Sequence, residues 1–238
     1  MKYKKLKRLI NKIGFDVRRY PNYLLRNRMQ MIKKNSINVV LDIGANVGQY
    51  AQEMRYLGYE GKIISFEPLT NAYQILEEEQ QNDSKWTSYK MALGDKNEKA
   101  QINISNTSAS SSLLEMLPSH LDAAPMTKFV ETELIDVRTL DSLFLDLMNS
   151  NDNIYLKMDV QGFEKNVLDG AKESLQHIIG IQLELSLIPL YADELTYIDM
   201  IKYVENLGFD LFSLEPGFAN TKTGQLLQIE GIFFRRKN

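Results

Sequence analysis

An aspartate and two glycines stand out in the stretch VVLDIGANVGQY, residues 39 to 50, where an apolar run breaks at Asp42 and Gly44 and Gly48 follow four residues apart. Glycine lets a backbone pass close to a bound group, because it has no side chain and tolerates left-handed φ angles. The Gly-x-Gly-x-x-Gly pattern that accommodates a pyrophosphate needs a third glycine. The turn is therefore expected to approach a smaller polar group, such as an amino acid, with Asp42 ordering the loop or accepting from an ammonium.

A second carboxylate ends the next strand-like run, KIISFE. Glu67 lies 23 residues beyond Gly44, where a doubly wound sheet places an acid that accepts hydrogen bonds from both hydroxyls of a ribose. The same carboxylate would serve the ribose of NAD, so an NAD-linked sugar oxidoreductase is an alternative. The missing third glycine argues against it.

A third apolar run, TSYKMAL at 87 to 93, also leads to polar residues. Ala92 and Leu93 offer apolar contacts to a purine face, and Asp95 offers a carboxylate to its exocyclic amine. A ribose without a diphosphate, an adenine and an amino-acid tail together describe S-adenosylmethionine. The sequence therefore predicts this cofactor.

The segment LKMDVQGFE, residues 156 to 164, delivers further polar side chains to the same edge of the predicted sheet. Methyl transfer to oxygen is an in-line displacement at a sulfonium, and the acceptor must lose its proton. Asp159 is the leading candidate here, as a base, as an orienter of the acceptor or as a ligand to the sulfonium amino acid. Lys157 is expected to pair with a carboxylate or the acceptor, and His120 has a suitable pKa for a base.

A metal site is a further hypothesis at this edge. Glu184 ends the strand-like run after Asp159, and the two carboxylates together could hold a divalent metal such as magnesium. Two ligands are too few to establish a metal. Glu164 lies in the first turn of the next predicted helix, where the helix dipole alone favours an acid.

The elements that must position these residues alternate in type along the chain. This alternation predicts an α/β, Rossmann-like doubly wound sheet with helices on both faces. Strand-like runs cover 38–43, 62–67, 87–93, 153–159, 178–185, 209–215 and 226–235. Helical patterns cover 49–57, 71–81, 139–149, 163–175 and 194–207. The last two strands are joined without a helix, so the final strand is expected to be antiparallel to the others.

The segment around 95–137 interrupts this alternation. QINIS (101–105) and FVETELIDV (129–137) are typical of strands, whereas 106–112 and 117–125 have the composition of loops. We interpret the segment as an insertion over one end of the sheet and as a candidate lid.

Bulk composition narrows the class of protein. The 238 residues are 44% hydrophobic and 25% charged, as in an ordinary globular protein, and they include no cysteine. A disulfide framework, thiolate metal ligands and a cysteine nucleophile are thereby excluded. No run has the length of a membrane-spanning helix and no secretory signal is visible, so a cytoplasmic protein is the expectation.

The N-terminus carries a separate charge pattern. Residues 1–34 hold 12 of the 28 Lys and Arg but only one of the 31 acids, Asp16. Residues 3–13 are predicted to form a basic amphipathic helix, which either packs on its own acidic domain or makes weak contact with the inner membrane face. The predicted organisation is a basic extension over 1–36 and a catalytic domain over 37–238.

Four segments carry a resemblance to a known family: LDIGANVGQYA, SFEPL, KMDVQGFEKNVLDGA and IQLELS. In their order, and over nearly all of residues 37–235, they resemble the FkbM family of S-adenosylmethionine-dependent methyltransferases. The resemblance implies a class I methyltransferase fold, with a seven-stranded sheet whose last strand is antiparallel. Better-known members methylate hydroxyl groups of sugars or natural products.

The resemblance also assigns residues. It places Asp42, Gly44, Asn46 and Gly48 on the methionine-binding turn, Glu67 on the ribose, and Asp159 at the acidic tip of the fourth strand. One departure is Gln161, which stands where the family motif Lys-x-Asp-x-Glu-Gly commonly has a glutamate. The full set expected at the cofactor is Asp42, Gly44, Asn46, Gly48, Glu67, Pro68, Ala92, Leu93, Asp95 and Asp159.

The sequence thus predicts an O-methyltransferase that uses S-adenosylmethionine, with a small molecule or a glycan as acceptor and a sugar hydroxyl as the expected group. Nothing resembles a nucleic-acid-binding module, and the acidic body disfavours a polyanion. A catalytically silent module that binds the cofactor without consuming it is a second alternative, for which Gln161 is the motivating feature.

Overall fold

The computed structural model describes residues 20–237, together with residue 10 and residues 12–14. The basic helix predicted for 3–13 lies mostly outside these residues. The strands are β1 (Val39–Ile43), β2 (Lys62–Phe66), β3 (Trp86–Tyr89), β4 (Ala92–Leu93), β5 (Glu98–Ser105), β6 (Phe129–Arg138), β7 (Ile154–Met158), β8 (Ile178–Ser186), β9 (Phe209–Pro216) and β10 (Gln228–Arg235). The helices are α1 (Tyr23–Lys34), α2 (Gln49–Tyr56), α3 (Thr70–Gln80), α4 (Pro118–Ala123), α5 (Leu140–Leu147), α6 (Glu164–Asp169) and α7 (Tyr197–Asn206).

Seven strands form the main sheet in the order β3-β2-β1-β7-β8-β10-β9. The pairs from β3 to β8 are parallel, and β10 is antiparallel to both of its neighbours. The predicted doubly wound sheet with an antiparallel last strand is therefore confirmed. The strand order reverses direction at β1 and β7, and ligands bind at such switch points, beyond the carboxyl ends of the strands.

Helices cover both faces of this sheet, because the central strands are apolar on both sides. All five residues of β1 are buried, and its apolar residues lie on opposite faces: Leu41 packs with α5 and α6 on one face, and Val40 packs with α1 and α2 on the other. Such continuous apolar runs are typical of parallel strands covered on both faces. The carboxyl edge of the sheet is left as the place where polar groups can face a ligand.

Helix α1 falls within the predicted N-terminal extension but packs into the core. Its side chains Met29 and Ile32 are buried with Val40 and Phe234 on one face of the sheet. Asn22 caps the start of the helix, and its side chain accepts from the backbone N–H of Leu25. The described end of the extension therefore shares its core with the sheet.

The predicted third strand, 87–93, is two strands. Trp86–Tyr89 pairs with β2 in the main sheet, whereas Ala92–Leu93 pairs with β6 in a second sheet of order β4-β6-β5. The chain turns between them, and the backbone N–H of Met91 donates to the carbonyl of Tyr89 at 3.0 Å. The apolar run continues through this turn, so its pattern alone did not reveal the break.

Two other segments differ from the sequence prediction. The helix predicted for 163–175 ends at Asp169, with Gly170 as its C-cap. A Cβ at position 170 would lie 1.9 Å from the backbone oxygen of Gly94, so only glycine fits there. A 3₁₀ turn at Ser174–His177 follows. Within the predicted loop 117–125 the structure has α4, with Pro118 in its first turn, a position that suits proline.

Candidate active site

A cavity of about 420 Å³ opens at the carboxyl ends of β1, β2 and β7, where the strand order changes direction. Its wall is formed by the turns after these strands, by α2, and by the insertion between β5 and α4. The residues that line these parts are Gly44 to Asn46, Glu67 to Leu69, Asp159 to Gln161, Gln49, Tyr50, Glu53, Ser108, Ala109 and Ser111 to Leu113. Its volume is in the range of small-molecule and cofactor sites.

The wall has an apolar part and a polar part. Leu69, Ala92 and Ile102 pack together in the apolar part. In the polar part, the hydroxyl of Tyr50 and the side chain of Gln182 are joined by a hydrogen bond of 3.1 Å, and Gln182 Nε2 donates to Glu230 Oε2 at 3.0 Å. The apolar part of the wall suits a flat apolar group of a ligand, and the polar part suits a charged one.

The two glycines of the turn between β1 and α2 are packed closely against neighbouring groups. Gly44 has a φ of 74°, and a Cβ there would lie 1.9 Å from the backbone oxygen of Asp159. Gly48 has a φ of 87°, and a Cβ there would lie 2.7 Å from the ring of Trp86. Both glycines are thus required by the packing of the fold, and only Gly44 also lines the cavity.

Replacing Gly44 by Ala is expected to destabilise the protein by about 2–5 kcal/mol, because a left-handed φ and a backbone overlap act together. Gly58→Ala is the matched control, since Gly58 has a φ of 84° with nothing within 4 Å of the added Cβ. That control should cost only about 1–2 kcal/mol. Chemical unfolding measures both, and equal losses would show that the contact with Asp159 is unimportant.

Glu67 connects this turn to the loop after β2. Its Oε2 accepts from the backbone N–H of Asn46 at 2.8 Å, and its Oε1 accepts from that of Leu69 at 2.9 Å. Burial raises the pKa of Glu67 to about 7, although the two backbone donors oppose the shift. The carboxyl group therefore changes its charge near neutral pH and faces the cavity.

Asn46 reaches from the turn to the insertion. Its side-chain amide and the hydroxyl of Ser108 lie within hydrogen-bonding distance, at 3.1 and 3.2 Å. The residue has a φ of 47°, which asparagine tolerates better than most side chains do. The contact brings the 3₁₀ turn at Ser108–Ser110 over the cavity.

Lys157 is a buried cation between two carboxylates. Its Nζ lies 3.2 Å from Asp42 Oδ1 and 3.8 Å from Asp159 Oδ2, and Asp42 is fully buried behind the cavity wall. Burial lowers the pKa of Lys157, but the charges of Asp42, Asp159 and Glu230 outweigh it, so its pKa is above the ordinary value. A lysine that keeps its proton in this way suits the expected pairing with a carboxylate and does not suit the role of a base.

Asp159 and Glu184 are bridged by an amide. Gln161 Nε2 donates to Asp159 Oδ1 at 2.8 Å and to Glu184 Oε2 at 2.9 Å, which also accepts from Gln228 Nε2 at 3.1 Å. Burial, and then the charges of Asp159 and Glu230, raise the pKa of Glu184 well above its ordinary value. The Gln161 amide therefore lies between the two carboxylates that were considered as ligands of a magnesium ion. The described residues contain no group of three or more acids or histidines placed to hold a metal.

Most of the residues predicted at the cofactor line the cavity, and three lie away from it. Gly44, Asn46, Glu67, Pro68, Ala92, Leu93 and Asp159 line it. Asp42 and Gly48 lie close to the cavity but do not line it. Asp95 is outside as well, where its Oδ2 is 3.8 Å from Lys96 Nζ, because β4 leaves the main sheet before reaching it.

His120, predicted as a base, also lies away from the cavity. It is buried in α4, where its ring packs against Tyr191 and Phe218 at centroid distances of 5.2 and 5.5 Å. Burial lowers its pKa, and its Nδ1 has no hydrogen-bond partner among the described residues. The arrangement does not support a catalytic role for this histidine.

Arg28 is a residue at the cavity that sequence reasoning missed. It is only 7% exposed, and its Nη2 lies 2.6 Å from Glu215 Oε2, 187 residues away in the chain. Glu53 is 3.6 Å from Nη1. A signal was present, because Arg28 shares the helical face of Leu25 and Ile32, and a charge on an apolar face requires a buried partner.

The sheet order, its antiparallel last strand and a cavity at the switch point are those of the class I methyltransferase fold. A family model described as the methyltransferase FkbM domain matches residues 42–211. The protein belongs to this family, and the resemblance seen in its motifs is confirmed. It is accordingly a methyltransferase.

One sequence relative and one solved structure show how far the likeness reaches. The 2-O-methyltransferase NoeI of Sinorhizobium fredii (strain NBRC 101917 / NGR234) is 28% identical over 164 residues, which cover 66% of this chain and 67% of that protein. A solved structure from Klebsiella pneumoniae, with a provisional O-methyltransferase assignment, matches with a TM-score of 0.51 and 11% identity, covering 98% of this chain and 89% of that one. At such low identity the structural match shows the fold alone.

None of the helices in the described part of the chain has the length and apolar character needed to cross a bilayer.

Proposed function

We propose that the protein is an S-adenosylmethionine-dependent O-methyltransferase that acts on a sugar hydroxyl of a glycan or a small molecule. The observation that carries the proposal is Asp159, a carboxylate that lines the cavity beside the glycine turn and has one oxygen already held by Gln161. A carboxylate in that position can accept the proton of a hydroxyl as the methyl group is transferred.

The cofactor is assigned to the cavity by its three chemical parts. The adenine suits the apolar part formed by Leu69, Ala92 and Ile102, and the ribose hydroxyls suit the carboxylate of Glu67. The amino-acid tail carries a negative carboxylate and a positive ammonium, which suit the polar part of the cavity wall. There Arg28 can meet its carboxylate, and Glu230 its ammonium.

The acceptor is assigned to the tips of β7 and β8. The amide of Gln161 holds one oxygen of Asp159 and one of Glu184, which leaves Asp159 Oδ2 and Glu184 Oε1 free of that amide. Sugar hydroxyls both donate and accept, so carboxylate and carboxamide groups side by side suit a polyhydroxylated ring. The relative NoeI, named a 2-O-methyltransferase, supports transfer to oxygen.

In this proposal each side chain has one task. Asp159 takes the proton of the acceptor hydroxyl, and Lys157, 3.8 Å away, places a positive charge beside that carboxylate. Gln161 orients the carboxylate, and the insertion at Ser108–Leu113 keeps water away from the reacting methyl. When bound, the cofactor supplies the electrophilic methyl group.

Membership of the methyltransferase family leaves the alternative of an NAD-linked oxidoreductase without support.

The second alternative, a catalytically silent module, differs from an active enzyme in one respect, the consumption of cofactor. Incubation with methyl-labelled S-adenosylmethionine and a panel of neutral and uronic acid-containing oligosaccharides tests this directly. We expect label in a sugar product that survives mild alkali, as a methyl ether does. Alkali-labile label would indicate transfer to a carboxylate and contradict the proposal.

A further inference from the structure

Gln161 occupies an unusual position for a neutral side chain. Its Nε2 has two hydrogens, and both are used on acids, at 2.8 Å from Asp159 Oδ1 and 2.9 Å from Glu184 Oε2. The residue is buried, with a φ of 54° that is followed by Gly162 at 94°. This pair of left-handed residues turns the side chain back to the tip of β7.

The orientation of the amide is fixed by its neighbours. If the amide were reversed, its oxygen would face two carboxylate oxygens, which is repulsive unless both acids are protonated. On the other side, Gln161 Oε1 lies 2.7 Å from the hydroxyl of Tyr191, a group that can donate to it. The network therefore assigns nitrogen to the acids and oxygen to the tyrosine.

Gln161 also connects the two acids to the insertion. Its backbone oxygen accepts from Ser112 Oγ at 2.7 Å, and Ser112 lines the cavity. The hydroxyl of Tyr191, besides its contact with Gln161, lies 3.2 Å from the backbone oxygen of Ser110. The bridge is thus held in place from three sides: β7, β8 and the insertion.

We propose that Gln161 is a positioning residue whose amide takes the place of a divalent cation between Asp159 and Glu184. A cation would neutralise two acids at this separation, and the amide satisfies them with its two hydrogens. The site is then complete without a metal, and the oxygen of Asp159 that the amide does not hold, 3.8 Å from Lys157 Nζ, keeps a fixed direction toward the acceptor. A third carboxylate at position 161 would convert the same cluster into a cation site.

Manganese binding to Gln161→Glu tests this proposal in the full-length protein. At pH 8 we expect the variant to bind one Mn²⁺ with a Kd of roughly 10⁻⁴ to 10⁻³ M, the range of weak carboxylate sites, and its Tm to rise when Mn²⁺ is added. The wild-type protein should neither bind Mn²⁺ in this range nor change its Tm. If the side chain at position 161 only filled space, its exchange for glutamate would not produce Mn²⁺ binding or a rise in Tm with Mn²⁺.

Gln182→Glu is the matched control. Gln182 is a buried glutamine whose Nε2 donates to a single acid, Glu230, at 3.0 Å, so this exchange places a carboxylate beside Glu230 and not between Asp159 and Glu184. It should gain no comparable Mn²⁺ binding. Equal binding by the control, or none by Gln161→Glu, would overturn the proposal.

The wild-type protein provides a second test that needs no folded variant at position 161. Mn²⁺ binding to the wild type that disappears in Asp159→Asn would show that the amide does not replace a cation.

The inference rests on the proposed function only in calling Asp159 the group beside the reacting methyl. Because Mn²⁺ binding is measured without cofactor or acceptor, failure of the proposed function and failure of this inference are distinguishable.

Discussion

Replacing Glu67 by Ala is expected to weaken binding of S-adenosylhomocysteine by about ten- to a hundredfold. The carboxylate faces the cavity and has lone pairs left for ribose hydroxyls, although each oxygen already accepts from one backbone N–H, of Asn46 or Leu69. Its removal takes away two hydrogen bonds to a charged acceptor and also loosens the turn. Calorimetric titration measures the loss.

Glu78→Ala is the control for this experiment, because Glu78 lies on the exposed face of α3, away from the cavity. It should leave the Kd unchanged. If Glu67→Ala binds as tightly as this control while remaining folded in a thermal scan, Glu67 does not hold the ribose.

The pKa of Glu67 adds a dependence on pH with a definite sign. Because burial raises this pKa to about 7, the carboxyl becomes protonated as the pH falls from 8 to 6, and protonation removes acceptors from the ribose hydroxyls. If only the ionised form binds, the Kd is about tenfold higher at pH 6 than at pH 8. Glu67→Gln should bind weakly at both values and lose this part of the pH dependence, which separates Glu67 from Glu164, a buried acid whose pKa is raised to about 8.

Changing Asp159 to Asn is expected to lower turnover by about 10²- to 10⁴-fold, the usual contribution of a general base, while S-adenosylhomocysteine affinity changes much less. The substitution keeps the shape of the side chain, and the oxygen of the new amide can still accept from Gln161 Nε2. What it removes is the oxygen that takes the proton. Steady-state kinetics with the acceptor from the oligosaccharide panel measures kcat and KM separately.

Asp122→Asn, an exposed position in α4, serves as the control and should keep full activity. Retained turnover in Asp159→Asn would remove this residue from the mechanism. A parallel collapse of cofactor affinity would point to another role, in which Asp159 binds the amino-acid tail rather than the acceptor.

The sheet was predictable because its strands can be recognised from short stretches of neighbouring residues. The buried run of β1 and the helix-free link before β10 are features of neighbouring residues, and they were sufficient for the doubly wound sheet and its antiparallel last strand. The position of Glu67 follows from the same local pattern, since strand ends in such a sheet share one edge. The break between β3 and β4 was missed because the apolar pattern does not change at the residues where the chain passes from the main sheet to the second sheet.

The remaining differences arise from contacts distant in sequence. Arg28 meets Glu215 across 187 residues, and His120 is buried by Tyr191 and Phe218, so no local pattern could place either side chain. Gln161 was recognised as a departure from the motif. Its bridge between two acids depends on a left-handed φ and on Glu184 from another strand, which only the folded structure supplies.

Calorimetric titration of the wild-type protein with S-adenosylhomocysteine, with NAD as a parallel ligand, tests the central claim most directly. The proposed site predicts micromolar binding of S-adenosylhomocysteine and none of NAD, because the cavity has an acid for the ribose and a two-glycine turn that lacks the third glycine of a pyrophosphate site. Binding of NAD alone would contradict the interpretation of the glycine turn and, with it, the roles proposed for Glu67 and Asp159.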